Sequence, residues 1–322
     1  MDIRLYTLDF SDMRILPASS KENGYISMNT EREFRGSGSF ELVFRDEEVE
    51  EFIREHPEGL LVVWGSFQGY LTDYQFKEKE KWAFGSHLNS LLHKFVIPDQ
   101  NIVDLDLQEV VRILIESKTP FIYVDSTEGF GKISFTTDTS YQYLDSFLIS
   151  LTEKAKIGYH LFIKDRQIYF ELLKAETNPL MLSKNNLNVY ETQEDFSNKT
   201  VAYGGWYKKT EENDGAKVET PTWVYITTEQ KEGVYTQDVV LKASSPGEAA
   251  EELATYCSTF DTACKTKNIT YGEDYKLGDI VRYQTKGKTI QKQITKISIW
   301  HEKSSYHEEP TLTEWEEKDV QS

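Results

Sequence analysis

The chain has 322 residues, and its 54 acidic and 36 basic side chains give a formal net charge of −18 and a pI near 4.9. That charge argues against a general nucleic-acid binder or a domain for anionic membranes, since both neutralise phosphates with clustered cations. No run approaches ~18 apolar residues, and the N-terminus lacks the basic and apolar regions of a secretory signal, so we expect neither a membrane span nor standard export.

Short runs rich in aromatic and β-branched residues follow one another through residues 1–100, separated by turn-formers such as Gly36-Ser37-Gly38. This pattern is typical of a small barrel or sandwich, and we predict a first β-barrel domain over residues 1–100. One helix interrupts it, because Asp46 can cap residues 47–55 and Val49, Phe52 and Ile53 form one apolar face.

Residues 101–175 are predicted to form an α+β domain. Asp106 and Glu109 make a capping-box pattern ahead of an apolar run that ends at Pro120. A second amphipathic helix is expected over about 140–156, with Tyr143 among its inward-facing residues. A β-hairpin of residues 159–163 and 167–172 follows it.

Residues 176–322 are predicted to form a second β-barrel domain, in which the polar stretch 208–219 is a long exposed hairpin loop. We expect an inserted helix at about 245–267, capped by Ser245, with Cys257 and Cys264 on its apolar face. Residues seven apart on a helix lie about 10 Å apart, too far for a disulfide. The acidic tail beyond His301 is poorly patterned, and we expect a neighbouring chain to order it.

Motifs that carry chemistry are incomplete in this sequence. Gly129-Phe130-Gly131-Lys132 lacks the first glycine of a P-loop and the hydroxyl residue that follows its lysine. The segment from Gly65 to Gly69 has Phe67 where a nucleophile elbow needs serine. Acids this abundant offer many carboxylate pairs, which sequence cannot place in space. We therefore expect no catalytic and no cofactor-binding residues.

Histidines offer the best case for a metal site. His301 and His307 lie near three glutamates, but their spacing matches none of the common zinc patterns, so we expect no metal-binding residues. His87 and His93 are expected to have structural roles. His160, on a hairpin strand, is expected to face solvent or a cross-strand partner.

Four local patterns occur in an order that is typical of one family: Gly38-Ser39-Phe40-Glu41-Leu42, then Gly85-Ser86-His87-Leu88 leading into Leu91-Leu92, then Asn198-Lys199-Thr200-Val201-Ala202-Tyr203-Gly204-Gly205, and finally Tyr275-Lys276-Leu277-Gly278-Asp279-Ile280-Val281. Together with the acidic, β-rich composition they resemble the tail-hub family of long-tailed siphophages and related prophages, also called tail-associated or baseplate-hub proteins. The resemblance covers residues 1 to about 312.

The resemblance implies a mainly β fold with α+β insertions, in which two β-barrels of the tail-tube type and α/β units assemble as a homotrimeric ring. It implies a structural, non-enzymatic hub that joins the tail tube or distal-tail protein to the tip. The implied location is the virion tail tip, after synthesis in the bacterial host cytoplasm. Implied partners are further copies of the chain, a distal-tail protein, the tape-measure protein and a tip or fibre protein. DNA would pass through the lumen without specific binding, and no membrane is involved.

Two other functions stay open on the residues alone. Trp64, Trp206 and Trp223 could stack on sugar rings in a glycan-binding or glycan-processing protein, and His301 with His307 could serve a metal-dependent hydrolase. The acidic segments Asp46–Glu58, with a net charge of −6, and His301–Ser322, with −5, also await a role. In a ring, acids could line the lumen or face a basic partner, and the sequence does not choose between them.

Overall fold

The computed structural model describes residues 1–18, 24–77, 80–127, 129–137, 141–187, 193–195, 202–213, 216–225, 237–241, 243, 246–247, 249, 261–285, 288–302 and 305–315. The chain forms two compact units: Met1–Glu191 with Cys264–Leu312, and Thr192–Ala263 with Thr313–Ser322. None of the helices in these described ranges is long and apolar enough to cross a membrane.

The first unit begins with a run of strands that a single helix interrupts. These elements are β1 (Ile3–Tyr6), β2 (Met13–Leu16), β3 (Tyr25–Glu33), β4 (Ser39–Phe44), α1 (Glu47–Glu55), β5 (Leu60–Trp64), β6 (Phe67–Phe76), β7 (Lys81–His87) and a 3-10 helix (Leu88–Lys94). An α+β segment follows, made of β8 (Val96–Pro98), β9 (Asn101–Asp106), α2 (Leu107–Lys118), β10 (Ile122–Val124), β11 (Lys132–Thr136), β12 (Tyr141–Tyr143), α3 (Leu144–Lys154), β13 (Gly158–Lys164) and β14 (Gln167–Leu173).

The rest of the chain is again mostly β. Its elements are β15 (Thr177–Leu182), β16 (Gln193–Asp195), β17 (Ala202–Asn213), β18 (Ala216–Tyr225), β19 (Gln237–Val240), β20 (Asp261–Ala263), β21 (Ile280–Thr285), β22 (Lys288–Glu302) and β23 (Ser305–Glu314).

One large sheet dominates the first unit. Its strands run in the order β23-β22-β3-β4-β7-β6-β5-β1-β2, β21 pairs with β22, and β15 adds in parallel to β21. The sheet curls as a half-barrel. Because β3 pairs with β4 on one side and β22 on the other, strands from both ends of the chain share this sheet.

Helix α1 forms as predicted, because Asp46 Oδ1 accepts a hydrogen bond from the Val49 backbone N–H at 2.9 Å and so satisfies a free donor of the first turn. Its apolar face is buried against one side of the large sheet. That core also takes in side chains from the first and last strands, including Ile3 and Leu312.

The α+β segment has a core of its own, built from both larger helices and the hairpin β13–β14. Asp106 Oδ1 accepts a hydrogen bond from the Glu109 N–H at 3.0 Å, so the predicted cap of α2 is confirmed. Helix α3 begins at Leu144, later than predicted, because residues 141–143 pair with β8 as strand β12. The prediction that Tyr143 faces inward was wrong, since its side chain is half exposed.

Strands β17 and β18 extend through the stretch 208–219, which was predicted as a long hairpin loop. Their pairing continues to Asn213 opposite Ala216, so the hairpin is present but its strands replace most of the predicted loop. The sequence signal was the Asp-Gly dipeptide at 214–215, which is typical of a two-residue hairpin connection.

Most of the helix predicted over about 245–267 lies outside the described residues, as does Cys257. Pro246, Gly247 and Ala249 are helical, at the predicted start. The predicted end was wrong, because residues 261–263 form strand β20 and pair with β16. Cys264 therefore lies on extended chain, where its N–H donates to the Pro310 carbonyl at 3.2 Å.

The structure also corrects the prediction for the acidic tail. Residues 305–314 form strand β23 instead of an irregular end that only a neighbour orders. Its inward-facing residues are Glu308, Pro310 and Leu312, a set with a single aliphatic side chain, which hides the strand periodicity in the sequence. Residues 316–322 lie outside the described part of the chain.

The domain boundaries 1–100, 101–175 and 176–322 remain a prediction. Strands from the first and last of these ranges share the large sheet, while the middle range supplies most of the separate α+β core.

Candidate interaction surface

The large sheet buries one face and presents a polar face on the other side. Along β3, Ser27, Asn29 and Glu31 alternate with Met28 and Thr30, both of which are buried. Successive side chains of a strand point to opposite faces, so the polar set lies on one side of β3. We call the side of strands β22, β3, β4 and β7 that carries these residues the polar face.

Cross-strand pairing extends the polar face into two rows. In the first row Trp300 pairs with Asn29, Asn29 with Glu41, and Glu41 with Phe84. The second row contains Glu302, Ser27, Val43 and Trp82. Directly paired residues project on the same side of a sheet, so the aromatic rings and carboxylates of these rows are neighbours.

A hydrogen-bonded network marks the other end of the polar face. Lys296 Nζ and Ser298 Oγ donate to Glu31 Oε1 at 3.0 and 3.3 Å, and Ser39 Oγ donates to Oε2 at 3.3 Å. About a third of each side chain of the Lys296–Glu31 pair is exposed, so we expect it to contribute little stability, of the order of 0–1 kcal/mol. It fixes the carboxylate of Glu31 in place.

The next carboxylate along β3, Glu33, lies against Gly36. A side chain at Gly36 would meet the carboxylate of Glu33, which would have to move. Burial raises the pKa of Glu33, the charge of Lys296 opposes that shift, and Glu31 adds to it. Glu33 is therefore easier to protonate than an ordinary surface glutamate.

A surface cleft of about 830 Å³ opens over the aromatic end of the polar face. Trp82 is stacked beside Phe84 with 6.3 Å between ring centroids, and Lys77 Nζ lies 5.4 Å from the centroid of the Trp82 ring. The lining residues come from five neighbouring strands and two adjoining segments: Ile26, Ser27, Asn29, Glu41, Val43, Glu80, Trp82, Lys265, Trp300, Glu302, Ser305, His307 and Glu309.

The two histidines considered for a metal site are not brought together. His301 lies on the core side, 5.4 Å from the Tyr25 ring and 6.0 Å from the Trp64 ring, and burial lowers its pKa. His307 lines the cleft on the polar face. Within the described residues, no group of three or more His, Cys, Asp or Glu side chains has an arrangement that could hold a metal ion.

The neighbouring glutamate Glu308 is a buried structural carboxylate. Its Oε2 accepts from the Tyr271 N–H at 2.8 Å and the Tyr275 hydroxyl at 3.1 Å, and its Oε1 accepts from the Tyr306 hydroxyl at 2.8 Å. These three donors satisfy the buried carboxylate. Burial raises the pKa of Tyr275 and of Tyr306.

The residues that suggested a glycan site are dispersed. Trp64 is 4% exposed and belongs to the sheet core. Trp206 and Trp223 stand opposite each other in the β17–β18 hairpin, and their side chains lie outside what the structure describes. The half-buried tryptophans of the polar face, Trp82 and Trp300, were not singled out by sequence.

Other candidate residues have structural settings. Cys264 is buried, and burial raises the pKa of its thiol to about 12, which suits an inert core residue. Gly131 has a positive φ of 77° and lies just before β11, where its carbonyl accepts a hydrogen bond from the Leu107 N–H at 3.0 Å. Gly38 also has a positive φ, 58°, and turns the chain from β3 into β4. A side chain at Gly38 would put Cβ 2.2 Å from the Glu31 carbonyl oxygen.

Sequence reasoning missed a buried polar group beside the large sheet. Asn89 Nδ2 donates to the Gly36 carbonyl at 2.7 Å, and its Oδ1 accepts from the Leu161 N–H at 2.7 Å. It thereby joins the β3–β4 turn to strand β13. Burial, the charge of Arg32 and that of His160 lower the pKa of the adjacent His87. Burial, followed by Arg32, lowers that of His160 to about 4.

No family model and no curated protein matches the chain. Solved structures do. The 43 kDa tail protein of prophage MuSo2 from Shewanella oneidensis is 15% identical, with a TM-score of 0.58 over 97% of this chain and 98% of that one. A tail protein from Neisseria meningitidis MC58 is 10% identical, with a TM-score of 0.61 over 98% and 97%. A chain of the phage P2 baseplate in its activated conformation with Ca is 12% identical, with a TM-score of 0.52 over 99% and 100%.

The chain has the fold of phage tail and baseplate proteins. The predicted class, a mainly β fold with α+β insertions like that of a baseplate hub, is confirmed. The matches span nearly the whole of both chains, so they concern the complete arrangement of elements and not a single sheet or motif.

Proposed function

We propose that this protein is a structural hub of a phage or prophage tail, which joins the tail tube or a distal-tail protein to the tip. The observation that carries the proposal is the fold shared over almost the full length with tail and baseplate proteins. The hub acts without catalysis, as a homotrimeric ring, and its partners are a distal-tail protein, the tape-measure protein and a tip or fibre protein.

In this ring the polar face lines the channel. Its serine, asparagine and glutamate side chains offer DNA phosphates little cationic surface, and the lysine among them, Lys296, is held by Glu31 at 3.0 Å. DNA that passes such a wall is repelled and slides without adhering. The acids that serve this role are those of the sheet, whereas the exposed acids of α1 are free to face a basic partner.

The oligomeric state and the position in the particle test the proposal. Sedimentation velocity of the purified chain is expected to reveal a species of three times 37.4 kDa at high concentration. Electron micrographs of particles from the producing strain, labelled with an antibody against this chain, should carry the label at the tail tip, and particles from a deletion strain are the control. A strict monomer together with unlabelled tails would contradict the hub.

A further inference from the structure

The cleft on the polar face combines tryptophan rings with several carboxylates. Trp82 and Trp300 form part of its wall, and the carboxylates of Glu41, Glu80, Glu302 and Glu309 lie among the lining residues against the amine of Lys265. Among the lining residues the carboxylates outnumber the amine four to one, and Arg45 lies 3.8 Å from one of them, Glu80. Its volume of about 830 Å³ falls in the range of roughly 300–1,000 Å³ that is usual for ligand sites.

Both the indole rings and the carboxylates of the cleft favour a cationic ligand. The face of an indole ring attracts ammonium and guanidinium groups through its quadrupole, and carboxylates hydrogen-bond to both. The chain already uses this chemistry at the site, because Lys77 Nζ lies 5.4 Å from the Trp82 centroid. On the adjoining strands, Glu41 and Trp300 flank Asn29, whose amide donates to Glu41 Oε1 at 3.3 Å.

The geometry points to an extended ligand with several cationic groups. The lining residues follow five strands across the sheet, from β23 to β7, and neighbouring strands lie about 4.8 Å apart, so the cleft spans roughly 20 Å. A single ammonium ion would occupy only a fraction of this length. A short run of extended polypeptide, at about 3.3 Å per residue, fills it with some six residues.

We propose that this cleft binds a lysine- or arginine-bearing segment of another protein. The inference concerns the isolated chain, so it holds or fails independently of ring formation and of the hub function.

Binding of a defined basic peptide tests it. The probe is a fluorescein-labelled peptide of three Gly-Arg repeats, followed by fluorescence anisotropy at low and physiological salt. We expect saturable binding that weakens with salt. The double variant Glu41→Gln/Glu302→Gln is expected to bind at least fivefold more weakly, and Trp300→Phe severalfold more weakly. Lys265→Gln is expected to bind more tightly, a gain that misfolding cannot produce.

The control separates the cleft from the general charge of the protein. Glu51→Gln/Glu55→Gln removes the same two charges from the exposed side of α1 and should leave binding unchanged. Equal loss in both double variants would overturn the proposal, because it would mean non-specific attraction to an acidic chain. Absence of saturable binding would overturn it too. So would Trp300-dependent binding of a neutral oligosaccharide, such as a trimer of N-acetylglucosamine, without binding of the peptide.

Discussion

His160 is a mostly buried base. Burial and the charge of Arg32 lower its pKa, and its cross-strand partner Glu171 approaches Nε2 only to 3.9 Å. Sequence reasoning allowed a solvent-facing or a cross-strand position for this residue, and the structure gives the second with most of the side chain buried. Desolvation therefore decides its protonation more strongly than the distant carboxylate does.

Acid is expected to destabilise the fold through this residue. Burial lowers the pKa of His160 to about 4 from 6.5, so the unfolded chain takes up the proton first. The stabilising contribution is present above pH 6.5 and is lost as the pH falls towards 4, with about 2 kcal/mol gone by pH 5. Urea unfolding at pH 7 and pH 5 measures the difference.

His160→Gln should make stability less dependent on pH over this interval. His307→Gln, at an exposed position on β23, is the matched control and should leave the pH dependence as it is in the unchanged protein. An unaltered pH dependence in His160→Gln would contradict the assignment.

At the scale of elements, helix α1 shows that local sequence signals can determine the bounds of a helix. Its cap, its apolar spacing and its stop at Pro57 lie within twelve residues, and the observed bounds agree with the predicted ones. The hairpin β13–β14 was predictable for the same reason. Strand β23 could not be predicted in this way, because Glu308 faces the interior. Its carboxylate accepts hydrogen bonds from the Tyr275 and Tyr306 hydroxyl groups, an arrangement that the local sequence pattern does not indicate.

The cap of α1 gives a direct test. Asp46→Ala removes the acceptor for the Val49 N–H and is expected to lower the free energy of unfolding by about 1 kcal/mol. Asp46→Asn keeps an acceptor oxygen, so its free energy of unfolding should fall by only a few tenths of the loss expected for Asp46→Ala. Thermal or urea unfolding compares the two variants, and equal losses would show that charge, and not the hydrogen bond, is the stabilising factor.

For the whole molecule, the polar face could be predicted only in part. The sequence itself indicates that one side of β3 is solvated, because polar and buried positions alternate: Ser27, Asn29 and Glu31 against Met28 and Thr30. Its neighbours are not visible, because Lys296 and Glu31 are 265 positions apart and only the folded sheet sets their register. The cleft, whose wall needs five strands, was therefore beyond sequence reasoning.

The channel proposed for the ring predicts a charge effect. Ser39→Lys places a cation on the polar face, beside Glu31, and three copies would place three in the channel. Genome release from particles that carry this variant is expected to slow at low salt and to recover at high salt, as the added lysines attract phosphates and salt screens them. Ser150→Lys, on the exposed side of α3, is the matched control. Unchanged release at low salt would reject the channel assignment.

The pairing of β3 with β22 also has a consequence for synthesis. The ribosome must add about 265 residues after Glu31 before Lys296 exists, which takes roughly 13–50 s at 5–20 residues per second. Throughout that interval one edge of β3 has no native partner, although β4 is available on its other side. A nascent chain therefore carries an open strand edge that foreign strands can pair with, until residues 296–302 have been synthesised and pair with β3.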